Sequence, residues 1–406
     1  MPTIQKISTA VVQANFHWTY VRVYADVDGG LYGTGECFFG PGLTSIIEEF
    51  NEVLVGEDFN NIDKLVEKMR WASSGAGSAG GLVWNAITGI ESALWDLKGK
   101  YHGLPVWQLL GGKFRDEVRI YLDCHAAGAL ECLSPLLQES APSWETDSPA
   151  KDMPPGEIVT ASAQRAAEMV DLGYTALKVD LDIPGSTFDS ASGYGLSVRD
   201  IDWMVSLTGV IRAAVGAEVD LAMDAHWRYR PNDILQVAKE VESCRLMWLE
   251  DPVPPDDKKS LGYLRQHTTT PIATGENLQL RGGFWDLIVD DLCDVLTPDL
   301  QKAGGLSEAR KIADMCAAAN KPVAFHMIGS PIALMASAHV AVTVPNFMVC
   351  EFHAHDVSFF PALAEGGIGD WFRPGWVVPG DAPGIGIELN ETVGKQYQLP
   401  GSGWFV

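Results

Sequence analysis

The spacing of hydrophobic and polar positions changes once along the chain, near residue 115. Before that point, residues 4–12 and 19–27 read as β-strands, and residues 85–100 place apolar side chains on one face at helical spacing. After it, short apolar runs alternate with amphipathic helical stretches. The pattern predicts an α+β domain at residues 1–115, followed by alternating strands and helices over residues 116–370.

A polar residue ends most of the apolar runs in the second region, at a nearly constant interval. Counting from Asp224, the next ends follow after 26, 26, 23, 27 and 25 residues. With the run at residues 118–122 there are eight such strands, and this number and period predict a (β/α)8 barrel. Because the carboxyl ends of barrel strands meet at one mouth, we expect one site to contain Lys178, Asp224, Glu250, Glu276, Asp299, His326 and Glu351.

The helical period ends after about residue 370. Residues 379–384 are rich in proline and glycine, which is typical of turns. We therefore expect residues 371–406 to form a C-terminal segment that returns to pack on the first domain. Two other stretches, 133–155 and 183–197, fall outside the barrel period and read as loops inserted beside it.

Three of the strand ends carry carboxylates at equal intervals: Asp224, Glu250 and Glu276. A lone acidic residue after a strand is more often a helix cap or a solvated loop residue. Three of them on successive repeats favour a shared ligand instead, and hard divalent cations take oxygen ligands of this kind. The spacing therefore predicts a site for Mg²⁺.

Asp299 and His326 end two consecutive strands and predict an acid–base dyad. A histidine such as His326, taken alone, would more often be a core residue. Asp299 ends the preceding strand, so it can orient the imidazole and stabilise its positive charge. The pair therefore predicts a group that transfers a proton.

Four further polar residues near the strand ends have open interpretations. Lys178 lies on an apolar strand, where an ammonium is costly to bury unless it is paired. Asp180 shares its face and is either its salt-bridge partner or a second acid–base group. His226 follows Asp224 by two residues, and this proximity favours a functional role over a loop position. Glu351 is either a substrate contact or a plain salt bridge.

The composition limits the partners and the location of the protein. The 406 residues are 47% hydrophobic and 20% charged, which suits a globular enzyme with more than one domain. A net charge of −24 opposes binding to nucleic acid or to anionic membranes, and no apolar run is long enough to span a bilayer. The seven cysteines form no CxxC pair, and the N-terminus lacks the form of a signal peptide. We therefore expect a cytoplasmic protein with free thiols.

The strand-end motifs together resemble the enolase superfamily, in its mandelate racemase subgroup. The resemblance covers nearly the whole chain and rests on Lys178-Val179-Asp180, Asp224-Ala225-His226, Leu249-Glu250-Asp251-Pro252, Gly275-Glu276-Asn277, Pro298-Asp299 and His326. It implies an α/β fold: a modified (β/α)8 TIM-type barrel with an N-terminal α+β capping domain and a C-terminal return segment. It also implies Mg²⁺ on the three carboxylates, and abstraction of the proton α to a substrate carboxylate through an enediolate.

The capping domain of this family supplies loops that close over the substrate. In this chain the resemblance assigns that role to residues 15–20 and 38–43. The aromatic side chains in these loops are then expected to exclude water from the site: Phe16, Trp18, Phe38 and Phe39.

One departure from the pattern of the subgroup bears on the reaction. Its racemases carry Lys-x-Lys, whose second lysine is the base on one face of the substrate, and Asp180 takes that position here. Lys178 matches the first lysine, which is expected to neutralise the substrate carboxylate. His226 is then a candidate acid for a leaving hydroxide, and its position resembles that in galactonate dehydratases. We therefore expect a carbon–oxygen lyase that dehydrates a sugar acid to a 2-keto-3-deoxy acid.

Two other functions stay open. With Asp180 as a second base, the protein would be a sugar-acid epimerase or racemase, or a lactone cycloisomerase. The other is an inactive protein that binds sugar acids, although the intact carboxylate triad and dyad argue against it. In each case the partner is a small sugar acid, and we also expect a homo-oligomer.

Overall fold

A computed structural model of the chain describes residues 2–76, 80–126, 153–182 and 195–406. Its N-terminal part is an antiparallel sheet of three strands, in the order β1-β2-β3, packed against helices. The strands are β1 (Thr3–Gln13), β2 (His17–Asp26) and β3 (Tyr32–Cys37). The helices are α1 (Leu43–Glu49), α2 (Asn51–Leu54), α3 (Ile62–Ala72), α4 (Leu82–His102) and α5 (Val106–Leu109).

Two glycines let β3 lie directly on the long helix α4. A Cβ on Gly33 would lie 2.1 Å from the carbonyl oxygen of Ala93, and one on Gly35 would lie 2.4 Å from the nitrogen of the same residue. Any side chain at either position would therefore push the sheet away from the helix. The Gly33/Gly35 pair thus serves the packing of one backbone against another.

Eight parallel strands form a closed barrel in chain order, because β11 pairs with β4. They are β4 (Val118–Asp123), β5 (Ala176–Asp180), β6 (Asp220–Asp224), β7 (Trp248–Glu250), β8 (Ile272–Thr274), β9 (Val295–Leu296), β10 (Val323–Phe325) and β11 (Phe347–Phe352). The helices between them are α6 (Pro155–Leu172), α7 (Val198–Val215), α8 (Pro231–Glu240), α9 (Lys258–His267), α10 (Leu280–Val289), α11 (Leu306–Ala318) and α12 (Pro331–Ala341). The predicted barrel with its N-terminal capping domain is confirmed. Among the described residues, no helix has the length and hydropathy that a membrane crossing needs.

An apolar layer inside the barrel forms the floor of the mouth. Each strand contributes one buried side chain to it: Tyr121, Ala176, Ala222, Trp248, Ala273, Val295, Ala324 and Val349. The rings of Tyr121 and Trp248 meet edge to face, with centroids 5.6 Å apart. Side chains two residues further along a strand point the same way. The residues two positions after members of this layer therefore face the mouth, and they include Asp123, Lys178, Asp224, Glu250, His326 and Glu351.

The C-terminal part of the chain contacts both the barrel and the capping sheet. Strands β12 (Phe372–Arg373) and β13 (Trp376–Val377) form a hairpin, and β13 pairs antiparallel with β4. After helix α13 (Glu391–Gln396), bridges join Gln398 to Val12 and Trp404 to Ala10 of β1. The boundaries of the three segments, 1–115, 116–370 and 371–406, stay predictions.

The expected capping loop at residues 15–20 is shorter than the sequence suggested. Trp18 and Tyr20 pair with Val12 and Ala10 of β1, and both side chains are buried, so β2 already begins at His17. The predicted inserted loops at 133–155 and 183–197 lie mostly outside the described residues.

His339 of α12 contacts both α5 and the C-terminal segment, and its burial leads us to expect a loss of stability in acid. Its Nε2 lies 3.0 Å from the carbonyl oxygen of Ile385 and its Nδ1 accepts from the backbone N–H of Trp107 at 3.1 Å, so the buried ring is neutral. Burial lowers the pKa of His339 from 6.5 to about 4. The neutral His339 contributes on the order of 3 kcal/mol at most to the free energy of unfolding. This contribution is complete above pH 6.5 and is lost as the pH falls towards 4.

The measurement is the free energy of unfolding in urea between pH 7.5 and pH 4.5 for the wild type and His339→Gln. We expect the variant to be less stable at neutral pH and to lose less stability on acidification. Equal pH dependence in the two proteins would contradict this assignment.

Candidate active site

The three predicted metal ligands meet at the mouth of the barrel. Asp224 and Glu250 are the last residues of β6 and β7, and Glu276 follows β8 by two residues. One oxygen of each carboxylate lies within 4.8 Å of the other two, and all three residues are at most 9% exposed. Neighbouring parallel strands thus bring together residues that are far apart in the sequence.

The environment of Glu250 fits a hard divalent cation. Trp248 donates to its Oε2 at 2.9 Å, whereas its Oε1 is buried and accepts no hydrogen bond from any described residue. Burial raises the pKa of Glu250 well above its usual value, and the neighbouring carboxylates Asp224 and Glu351 add to the rise. A cation among these oxygens would offset both effects, and oxygen donors of this kind suit Mg²⁺.

Lys178 is buried among the carboxylates of this site. Its Nζ lies 2.8 Å from Glu351 Oε1, 3.0 Å from Asp224 Oδ2 and 3.5 Å from Glu250 Oε2. Although burial alone would lower the pKa of Lys178, the carboxylates raise it well above its usual value. Lys178 is therefore a fixed positive charge next to the predicted metal ligands.

The second oxygen of Glu351 links Lys178 to the predicted dyad. This Oε2 accepts from the backbone N–H of Met327 at 3.2 Å and lies 3.6 Å from Nε2 of His326. Glu351 thus contacts the ammonium of Lys178 with one oxygen and lies close to the imidazole of His326 with the other.

His326 and Asp299 form the predicted pair. Nδ1 of His326 lies 2.6 Å from Asp299 Oδ2, and Nε2 lies 3.2 Å from Glu276 Oε2. Burial alone would lower the pKa of His326, but Glu276, Glu351 and Asp299 raise it to about 9. Asp299 thus holds Nδ1, and Nε2 faces the carboxylates at the centre of the mouth.

His226 lies on the opposite side of the mouth, at the end of β6. Its backbone has a φ of 46°, and its N–H donates to Asp224 Oδ1 at 2.9 Å. The ring lies 3.5 Å from Asp182 Oδ2 and 4.0 Å from Asp180 Oδ1. Burial alone would lower the pKa of His226, but Asp224, Asp180 and Asp182 together raise it well above its usual value. These carboxylates favour the protonated imidazole, which is the form that a general acid requires.

A further group of polar residues lies where the last strand meets the first, and the sequence prediction did not include it. Asp123 Oδ2 lies 2.9 Å from His353 Nε2 and 3.4 Å from His125 Nε2. His125 Nδ1 in turn lies 3.7 Å from Asp180 Oδ2, so this group is continuous with the predicted site. The signal was present in the sequence, because Asp123-x-His125 and Glu351-x-His353 repeat the spacing of Asp224-x-His226.

The hydrogen bonds of His353 favour a proton-bearing role for this group over metal binding. Asn15 Oδ1 accepts from the backbone N–H of Phe16 at 3.1 Å, so its Nδ2 is the atom that donates to His353 Nδ1 at 2.9 Å. The proton of the neutral ring then sits on Nε2, facing Asp123. A metal-bound histidine instead donates its second ring N–H to an acceptor, and Asn15 presents a donor there.

The capping domain contributes aromatic side chains above the mouth. Phe16 stacks on Phe39 at 5.0 Å and Phe39 stacks on Phe38 at 4.5 Å, measured between ring centroids. The ring of Phe38 lies 6.3 Å from that of His326, and Lys302 Nζ lies 3.6 Å from the centre of the Phe38 ring. Trp18, by contrast, is buried against Phe359 and Phe360 in the core.

Comparison with known families gives matches over most of the chain. The family described as "Enolase C-terminal domain-like" matches residues 161–393. The family described as "Mandelate racemase / muconate lactonizing enzyme, N-terminal domain" matches residues 3–111. The two matches cover most of the barrel and the capping domain, respectively.

Individual proteins also match over nearly their full length. The chain is 36% identical to a D-xylonate dehydratase of Haloferax volcanii, over 99% of this chain and 90% of the relative. It is 28% identical to a D-mannonate dehydratase of Rhizorhabdus wittichii, over 93% and 91%. Among solved structures, a mandelate racemase/muconate lactonizing enzyme-like protein from Rubrobacter xylanophilus superimposes with a TM-score of 0.88, at 35% identity and full coverage of both chains.

Proposed function

The chain belongs to the mandelate racemase/muconate lactonizing enzyme group of the enolase superfamily, and we propose that it dehydrates a sugar acid to a 2-keto-3-deoxy acid with Mg²⁺ as cofactor. The observation that carries the proposal is the placement of two imidazoles on opposite sides of the carboxylate triad. Asp299 holds Nδ1 of His326, so its Nε2 suits the role of base when a cation on Glu276 offsets the carboxylate that does most to raise the pKa of this imidazole. Asp180 and Asp182 lie beside the ring of His226, and these carboxylates favour the protonated form that an acid needs. The names of the relatives support the substrate class.

Seven residues of the site then each have a task. Asp224, Glu250 and Glu276 would hold the cation, which would supply positive charge to stabilise the negative charge that develops on the substrate carboxylate. Lys178 adds a second positive charge for the same carboxylate. His326 Nε2 takes the proton from C2 while Asp299 holds the imidazole and stabilises its charge. His226 donates a proton to the hydroxyl that leaves C3 as water, and the resulting enol becomes the 2-keto-3-deoxy acid.

A second function, epimerisation or cycloisomerisation, is favoured by one observation. Asp180 Oδ1 lies 4.0 Å from His226 Nε2, so a carboxylate and an imidazole adjoin on the face opposite His326. Such a pair would suit a second base, which an epimerase needs and a dehydratase does not. Deuterium at C2 of recovered substrate without a keto product would favour this alternative.

Turnover of an acid-sugar library with Mg²⁺ present tests the proposal. Formation of a 2-keto-3-deoxy acid from D-xylonate or another aldonic acid is the expected result. An acid that binds without turnover would instead support the third alternative, an inactive sugar-acid binding protein. The library also identifies the sugar.

A further inference from the structure

Glu36 is a buried carboxylate of the capping domain that contacts the barrel beside the His326–Asp299 dyad. It lies near the end of β3 and is 2% exposed. Burial raises its pKa to about 7, although hydrogen bonds from Ser330 and Gln301 lower it. Such a carboxylate is costly to bury, and its contacts on the barrel connect it to each member of the dyad.

The first connection runs to the segment that carries His326. Ser330, four residues after His326, is the N-cap of α12. Its backbone N–H lies 3.1 Å from Glu36 Oε1, and its hydroxyl donates to Glu36 Oε2. The capping domain thus supplies a carboxyl group at the N-terminus of a barrel helix, where the helix dipole favours its ionised form. Trp18 adds a hydrogen bond to the same segment, because its Nε1 donates to the carbonyl of Ile328 at 3.1 Å.

The second connection runs to Asp299 through Gln301. The side-chain amide of Gln301 donates to Glu36 Oε1 at 3.1 Å, and its backbone N–H donates to Asp299 Oδ1 at 2.6 Å. The carbonyl of Gln301 also accepts from the backbone N–H of Phe38 at 3.2 Å. One carboxylate of the capping domain is therefore linked to the loop of the imidazole and to the loop of its partner.

The space around Glu36 is closed. A Cβ on Gly329 would lie 2.6 Å from Glu36 Oε1 and 2.8 Å from Gln301 Nε2. Glycine is therefore the residue that lets the carboxylate reach both loops.

A second carboxylate of the capping domain provides a natural comparison. Glu91 of α4 is fully buried and accepts from the backbone N–H groups of Leu306 and Ser307, at 2.8 and 3.0 Å. It therefore caps α11 as Glu36 caps α12. Its hydrogen bonds to the barrel, however, go to residues beyond the loop that holds Gln301, so Glu91 joins the two domains without these connections to the dyad.

We propose that Glu36 is a positioning residue that holds the His326–Asp299 dyad in place, so that the acid–base site is complete only when the capping domain is docked. The inference rests on the proposed function, because it takes His326 as the group that removes the C2 proton. Glu36 touches neither member of the dyad directly and acts through Ser330 and Gln301.

The test compares Glu36→Gln with the matched control Glu91→Gln, using D-xylonate and its C2-deuterated form as probes. For Glu36→Gln we expect kcat to fall about tenfold or more with KM nearly unchanged, because a misplaced base slows the chemical step. We also expect the primary isotope effect on kcat to rise, since proton abstraction becomes more rate-limiting. Glu91→Gln should lower the melting temperature by a similar amount and leave kcat and the isotope effect unchanged.

The same kcat and isotope effect in the two variants would overturn the inference. If Glu36→Gln does not fold, Gln301→Leu breaks the link on the barrel side, and wild-type kinetics in that variant would also overturn it.

Backbone hydrogen exchange of residues 326–334 provides a readout that does not depend on the reaction. The inference predicts faster exchange there in Glu36→Gln than in Glu91→Gln, and equal exchange would overturn it. A wild type that neither converts D-xylonate nor exchanges its C2 hydrogen, nor those of the other acids in the library, would count against the proposed function. Hydrogen exchange alone would then decide the role of Glu36.

Discussion

Replacing Glu250 by glutamine should lower kcat by about a thousandfold or more. The amide keeps the shape of the side chain but removes one of the three negative charges that we propose as ligands of Mg²⁺. It also replaces an oxygen that accepts no hydrogen bond from the described residues. The variant should also bind Mg²⁺ more weakly. Its fold should persist, because the strands of the barrel still pack on the floor of Tyr121 and Trp248.

The measurement combines turnover with thermal unfolding in the presence and absence of millimolar Mg²⁺. A ligand that binds only the folded state raises the melting temperature by mass action, so Mg²⁺ should stabilise the wild type more than Glu250→Gln. Glu308→Gln is the control, since it neutralises a buried carboxylate whose contacts are with Arg281. Full activity of Glu250→Gln, or of the wild type in excess chelator, would refute the metal assignment.

Replacing His326 by asparagine should stop both dehydration and exchange of the C2 hydrogen with solvent. A general base typically contributes about 10²- to 10⁴-fold, and asparagine cannot accept the proton. Asp299→Asn should resemble this variant, because the imidazole loses the carboxylate that lies 2.6 Å from its Nδ1. The measurements are keto-acid formation and loss of the C2–H signal in D₂O by NMR.

His226→Asn should behave differently from His326→Asn. The C2 proton can still be removed, so exchange with solvent should survive while loss of the C3 hydroxyl slows.

The family resemblance further implies that a base on the side of His326 selects acids of R configuration at C2. D-gluconate and D-xylonate are R at C2, whereas D-mannonate, which differs from D-gluconate only at C2, is S. We therefore expect D-gluconate and D-xylonate to be better substrates than D-mannonate. Exchange that survives in His326→Asn but is lost in Asp180→Asn or Lys178→Met would move the base to the other face.

The strand ends of the barrel were predictable because their pattern is local and periodic. Asp224, Glu250 and His326 each follow an apolar residue of the floor layer by two positions, and alternation along a strand turns both to the interior. The period of the strands then brings neighbouring ends together without any knowledge of loops. The same rule would have found Asp123, had the first strand been treated like the others.

The contacts between the domains could not be predicted in this way. Asn15 and His353 are 338 residues apart, and Glu36 and Ser330 are 294 residues apart. No period connects these pairs, because they depend on how the capping sheet docks on the barrel. Trp18 illustrates the same limit: its position suggested a loop over the site, whereas pairing with β1 turns it into the core.

The fate of the C2 hydrogen of D-xylonate distinguishes dehydration from epimerisation in one experiment. The wild type is incubated with D-xylonate and Mg²⁺ in D₂O, and substrate and product are followed by ¹H NMR. If the protein dehydrates the acid, the C2–H signal disappears as a 2-keto-3-deoxy acid forms with one deuterium from solvent at C3. Recovery of an acid that carries deuterium at C2 with inverted configuration, and no keto acid, would contradict dehydration.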